Sequence, residues 1–148
     1  MTQLNQQIYL NSPPEKYATL FAGRYDAESR RFTYSNAGHL AAILINGSDV
    51  ARLEATGTVL GLLPDQAYAA RTVELHPGAL LAVFTDGVTE AFNGADEEFG
   101  EERLIEILHE YRAGDPDAIY RQIVARLRQW QGDLKQHDDI TLIIAKAV

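Results

Sequence analysis

The chain contains no cysteine, which excludes a disulfide framework and any thiolate metal site. It has no apolar run near the roughly 20 residues that a membrane-spanning helix needs. No signal-peptide pattern opens it, so the expected compartment is the cytoplasm. Cations are in the minority, with 13 Lys and Arg against 21 Asp and Glu and a net charge of −8. They form no basic patch, which argues against a nucleic-acid partner, because phosphate-tracking proteins concentrate Lys and Arg on one surface. Internal repeats and low-complexity segments are also missing.

What remains is an ordinary globular composition, 46% hydrophobic and 23% charged over 148 residues. That length suits one domain able to bury roughly 70% of its unfolded surface. Leu4 and Ile8 predict a short helix over Thr2 to Leu10, ended by Asn11-Ser12-Pro13-Pro14. Strands are then expected at Tyr17 to Tyr25, Arg31 to Ser35, Leu40 to Ile45, Val50 to Leu53, Tyr68 to Leu75 and Ala79 to Phe84. Asp26 to Ser29 and Asn46-Gly47 supply turns. A helix over Glu101 to Tyr111 presents Leu104, Ile105, Leu108 and Tyr111. A longer helix starts at the N-cap Asp115 with Pro116, and its stripe runs through Ile119, Tyr120, Ile123, Val124, Leu127 and Trp130. Core packing is the expected role of Tyr120 and Trp130. A last strand covers Ile140 to Ala145. Strands grouped ahead of helices indicate an α+β fold.

Two aspartate motifs carry the chemistry. Thr85-Asp86-Gly87 follows the apolar run Leu80 to Phe84, and His137-Asp138-Asp139-Ile140-Thr141 precedes Leu142-Ile143-Ile144. A carboxylate at the end of a buried strand is costly unless a cation meets it. Two such ends side by side would offer oxygen ligands to a hard divalent metal such as Mg or Mn. Taken alone, an Asp-Gly is usually a turn and an Asp-Asp before a strand is often a surface cap. Other segments extend the pattern: Lys16-Tyr17-Ala18-Thr19-Leu20-Phe21, Tyr34-Ser35-Asn36-Ala37-Gly38-His39, Leu60-Gly61-Leu62, Pro77-Gly78, Thr89-Glu90-Ala91 and Phe99 to Leu104.

In this order the segments strongly resemble the C-terminal part of the bacterial metal-dependent serine/threonine phosphatases, the sporulation stage II protein E and RsbU branch of the PPM (type-2C) superfamily. The resemblance runs from about Leu4 to Ala145. It implies an antiparallel β-sandwich flanked by helices. It also implies two Mn or Mg ions that activate a water for attack on a phosphoserine or phosphothreonine, with no protein nucleophile. Asp86 and Asp138 match metal-ligating aspartates, and Asp139 is a further candidate or a holder of loop geometry. Gly87 would let the backbone pass close to the site. The usual substrate of this branch is a phosphorylated anti-sigma-factor antagonist in a partner-switching pathway.

The family's upstream Gly-Asp motifs have no counterpart among Glu15, Asp26, Glu28, Asp49, Glu54, Asp65 and Glu74. The chain therefore reads as an N-terminally truncated domain without the bridging aspartate. One ion would find about two of six octahedral positions filled by protein, and a second ion essentially none. Weak or absent activity is expected, together with unpaired sheet edges that favour a two-fold homodimer. Two functions compete: a protein phosphatase, and a catalytically inactive interaction module in a signalling pathway.

Several residues stay open at this level. His39 suits a structural turn with its imidazole bonded to the backbone, or a place near the active centre. His137 suits either orientation of Asp138 or exposure. His76 and His109 read as surface residues, Asp96-Glu97-Glu98 as a solvated loop, and Glu90 as a neighbour of the site or the start of a helical turn.

Overall fold

The apolar segments expected to be strands form strands. The computed structural model describes residues 1–136 and 138–148; His137 lies outside the described residues. Among these there are seven strands: β1 (Leu20–Asp26), β2 (Arg31–Ala37), β3 (Ala42–Asn46), β4 (Asp49–Leu53), β5 (Arg71–Glu74), β6 (Leu80–Phe84) and β7 (Leu142–Lys146). The helices are α1 (Thr2–Asn11), a single turn α2 (Asp86–Thr89), α3 (Gly100–Tyr111) and α4 (Pro116–Gln131). The strands make two sheets, ordered β1-β2-β5 and β4-β3-β6-β7, with antiparallel registers in both. No helix among the described residues is long and apolar enough to cross a membrane.

The chain divides into two compact units, one made of Met1–Ala41 and Leu53–Leu75 and the other of Ala42–Arg52 and His76–Val148. In the first unit the sheet carries a row of stacked rings, with centroids of Phe21 and Tyr34 5.6 Å apart and of Phe32 and Tyr34 6.3 Å apart. Gly23 makes room for this row, because a Cβ there would stand 2.2 Å from the Phe32 ring.

Of the two apolar residues expected to seat α1, Ile8 is half-buried and packs against Gly61, whereas Leu4 does not. Leu4 is 44% exposed, and the helix's one fully buried residue is Asn5. Its side-chain amide donates to the carbonyls of Leu63 (2.8 Å) and Pro64 (3.1 Å), and its oxygen accepts from Gly61 N–H (2.8 Å) and Tyr68 O–H (3.0 Å). All four hydrogen-bonding positions of a buried amide are therefore used, as burial demands. This also explains why the strand expected from Tyr68 begins only at Arg71: Tyr68 is turned toward α1. Tyr17 likewise precedes β1 and is exposed.

The second unit contains the main apolar core. Ile43 and Ile45 of β3 and Leu80, Ala82 and Phe84 of β6 pack with Leu104, Ile107 and Leu108 of α3 and Ile119, Ile123 and Leu127 of α4. Asp115 caps α4 by accepting from Ala118 N–H at 2.7 Å, with Pro116 at the first turn. The buried rows are narrower than the sequence stripe suggested. At about 100° per residue, Ile119, Ile123 and Leu127 already fill the face toward the sheet. Tyr120 is displaced outward and is 43% exposed, not core. Trp130 is half-buried; its ring meets Phe99 edge-on and its N–H donates to the carbonyls of Ala91 and Glu97.

Asn5→Ala should lower the unfolding free energy by about 2–4 kcal/mol in denaturant titrations, since it strands several buried polar groups at once. Burial raises the Tyr68 phenol above its ordinary 10.0. The neutral phenol is thus favoured in the folded state, and its contribution is complete below pH 10 and lost as pH rises further. Above about pH 10 the wild type should lose stability more steeply than Tyr68→Phe.

Candidate functional site

The pairing of β6 with β7 decides where the two aspartate motifs lie. Its antiparallel register sets Phe84 opposite Leu142 and Leu80 opposite Lys146. The end of β6 and the beginning of β7 are therefore neighbours. Beyond the strands, Thr85 N–H donates to Thr141 O at 3.0 Å and Thr141 N–H to the Thr85 hydroxyl at 2.9 Å. That hydroxyl donates to the Asp139 carbonyl at 2.9 Å. Asp86 follows as the first residue of α2, a turn closed by Val88 N–H to Thr85 O (3.0 Å) and Glu90 N–H to Asp86 O (2.7 Å).

The chain can come this close only because of Gly87. A Cβ at that position would stand 2.6 Å from the Asp139 carbonyl oxygen and 3.2 Å from that of Asp138. Asp86 Oδ1 accepts from Gly87 N–H at 2.9 Å. Asp138 opens onto a narrow crevice lined also by Gly87, Glu90 and Lys135, and its carbonyl accepts from the Gln136 amide at 2.6 Å. Asp86, Asp138 and Asp139 are all exposed, and among the described residues none of them belongs to an ion pair.

These donors suit a hard cation in kind, being carboxylate oxygens with no competing lysine or arginine bonded to them. They are few in number: among the described residues no group of three or more His, Cys, Asp or Glu side chains is placed to hold a metal ion. Magnesium-type ions commonly take one or two carboxylates and fill the rest of an octahedron with water or phosphate oxygens. In donor type, though not in a closed ligand set, Asp86 and Asp138 suit one such ion. A second ion finds no such set among the described residues.

The remaining sequence candidates have local settings of their own. His39 is in the first unit, where its Nδ1 is 3.2 Å from the Thr19 hydroxyl. The backbone of that turn is held by Asn36, which accepts from His39 N–H (2.9 Å) and donates to the carbonyls of His39 (3.1 Å) and Leu53 (3.2 Å). The imidazole thus pairs with a side chain, not with the backbone as expected, because the amide of Asn36 has already taken the backbone groups. Glu90 ends the α2 turn instead of starting one, and it lines the crevice beside Asp138. In the acidic loop, Asn93 organises the chain by accepting from Ala95 and Glu97 N–H and donating to the Glu97 carboxylate. The residue overlooked in the sequence is Thr85; a hydroxyl directly before Asp-Gly at a strand end was the available signal.

This mixture of helices and antiparallel sheets matches the fold of PP2C-type phosphatase domains. The SiaA PP2C domain of Pseudomonas aeruginosa superposes with a TM-score of 0.70 at 25% identity, over 80% of this chain and 47% of that one. RsbX in complex with magnesium matches with a TM-score of 0.66 at 21% identity, over 99% of this chain and 62% of that one.

The sequence comparison goes further than the fold. A family model described as stage II sporulation protein E (SpoIIE) matches residues 1–148, and the chain belongs to that family. It is 31% identical over 150 aligned positions to the phosphoserine phosphatase RsbU of Bacillus subtilis, covering 99% of this chain and 44% of RsbU. The chain spans less than half the length of the sequence relatives it matches.

If Asp86 and Asp138 share one ion, Mn2+ at ten times its Kd should add about 1.4 kcal/mol to the unfolding free energy. The gain should appear as a raised Tm that Asp86→Asn and Asp138→Asn each abolish.

Proposed function

We propose that this chain supplies the Asp86 and Asp138 half of a protein serine/threonine phosphatase, a hydrolase of phosphoserine or phosphothreonine monoesters that uses Mn2+ or Mg2+. The observation that carries the reading is the closure of the β6 and β7 ends, which sets two unpaired aspartate-bearing segments against each other. Membership of the stage II sporulation protein E family and the likeness to RsbU support it. A bound divalent ion would lower the pKa of a coordinated water and offset charge on phosphate oxygens.

Within this chain Asp86 and Asp138 would hold the ion, and Gly87 and Thr85 would keep the two segments together. A phosphorylated anti-sigma-factor antagonist in a partner-switching pathway is the substrate class we assign, from the family resemblance of the sequence motifs. With two aspartates as the donor set, the chain by itself is a weak enzyme. The second reading, an inactive phosphatase-like interaction module, draws on that same shortage of ligands.

Manganese-dependent hydrolysis of an aryl phosphate or a phosphoserine peptide tests the choice. Asp86→Asn should lower kcat/KM by on the order of a hundredfold, the scale of removing a group that acts on developing charge. Equal rates for wild type and variant would overturn the site. No metal-dependent rate above buffer would favour the inactive module.

Self-association belongs to the same proposal. β7 is the last strand of its sheet and leaves Ile143 58% exposed, an open edge of the kind that pairs with another chain. Sedimentation at micromolar concentration should show a dimer, and a strictly monomeric species would remove this part.

A further inference from the structure

Thr85 stands directly opposite Thr141, one step past the Phe84–Leu142 pair. At every second pair of an antiparallel ladder the opposed residues exchange two backbone bonds, and the bond from Thr85 N–H to Thr141 O marks this as such a pair. Only one of these forms in the usual way, from Thr85 N–H to Thr141 O at 3.0 Å. The Thr85 carbonyl is turned away and accepts instead from Val88 N–H at 3.0 Å, the bond that starts α2. The Thr85 hydroxyl takes its place, accepting from Thr141 N–H at 2.9 Å and donating to the Asp139 carbonyl at 2.9 Å.

This substitution lets the ladder stop and a helical turn begin within one residue. Without it, either Thr141 N–H would lack its partner or the carbonyl would swing back to the sheet and the Asp86 turn would open. A β-branched side chain suits the task, since its χ1 is restricted and the hydroxyl position is correspondingly fixed. Gly87 is the other jaw of the clasp: it is the only residue type that tolerates the Asp139 carbonyl at this separation, 2.6 Å from where a Cβ would lie.

We propose that Thr85 is a positioning residue whose hydroxyl holds the Asp86 turn against the Asp138-Asp139 strand end, and thereby lets the two carboxylates share one divalent ion. The inference rests on the ligand assignment made under Proposed function. Thr85 itself is assigned no contact with ion or substrate; it acts through the spacing of the two segments.

The test compares wild type, Thr85→Val, Thr85→Ser, Gly87→Ala and Asp86→Asn in this chain, reading Mn2+ affinity by electron paramagnetic resonance of free Mn2+. The hydrogen exchange rate of the Thr141 amide is read by NMR. Thr85→Val keeps the shape and removes both bonds, so affinity should fall and Thr141 exchange should rise by on the order of tenfold, the scale of one or two net hydrogen bonds. Thr85→Ser should stay within about threefold of wild type in both readouts. Gly87→Ala keeps the hydroxyl but forces the segments apart, and should weaken Mn2+ binding although Ala is the better helix former.

Wild-type affinity in Thr85→Val, with Asp86→Asn weakened, overturns the positioning role and leaves the ligand assignment standing. Wild-type affinity in Asp86→Asn removes the ligand assignment, and the positioning proposal falls with it. If Thr85→Val does not fold, as judged by circular dichroism, Gly87→Ala decides: unchanged Mn2+ affinity there overturns the proposal.

Discussion

The pairing of β6 with β7 is the constraint on which the chemistry of this chain depends. The two strands are far apart in sequence, and their hydrogen bonds place Phe84 against Leu142 and, one step later, Thr85 against Thr141. The apolar burial of Leu80, Ala82 and Phe84 under α3 and α4 holds that pairing in one register. A slip by one residue would turn these side chains to the opposite face, so the core and the site share a single condition. Like-charged aspartate segments are brought together by apolar burial beneath them, not by attraction between them.

The two units solve the problem of polar groups in different ways. In the first, Asn5 and Asn36 are buried and spend their amides on backbone groups of neighbouring loops. Such fully used amides specify one loop conformation, because any other arrangement leaves them unpaired. In the second, the interior is almost wholly apolar, and polar groups gather at its rim. Asp115 caps α4 there, and the Lys146 ammonium donates to the carbonyls of Arg112 and Gly114 past the end of α3. Hydroxyls and carbonyls at the β6 and β7 ends complete the rim, and it is at this rim that the candidate ligands stand.

Much of this was legible in the residues. Apolar runs bounded by turn residues marked the strands, and Asp115 with Pro116 marked the start of α4 to the residue. The order of several segments, from Lys16-Tyr17 to Asp138-Asp139-Ile140-Thr141, identified the family. Two large side chains misled. Leu4 looked like the contact of α1, whereas a neighbouring asparagine carries it. Tyr120 looked like core, whereas the helix's angular step had already filled that face with Ile119, Ile123 and Leu127.

The sequence by itself determined the elements, the α+β class and the identity of the acidic motifs, because periodicity, turn chemistry and capping are local properties of the chain. Only the tertiary structure decided that the two motifs are neighbours, that Gly87 must lack a Cβ and that the Thr85 hydroxyl stands in for its own carbonyl. Those facts arise between segments more than fifty residues apart. Such a distance along the chain leaves no mark in local pattern until a sheet closes it.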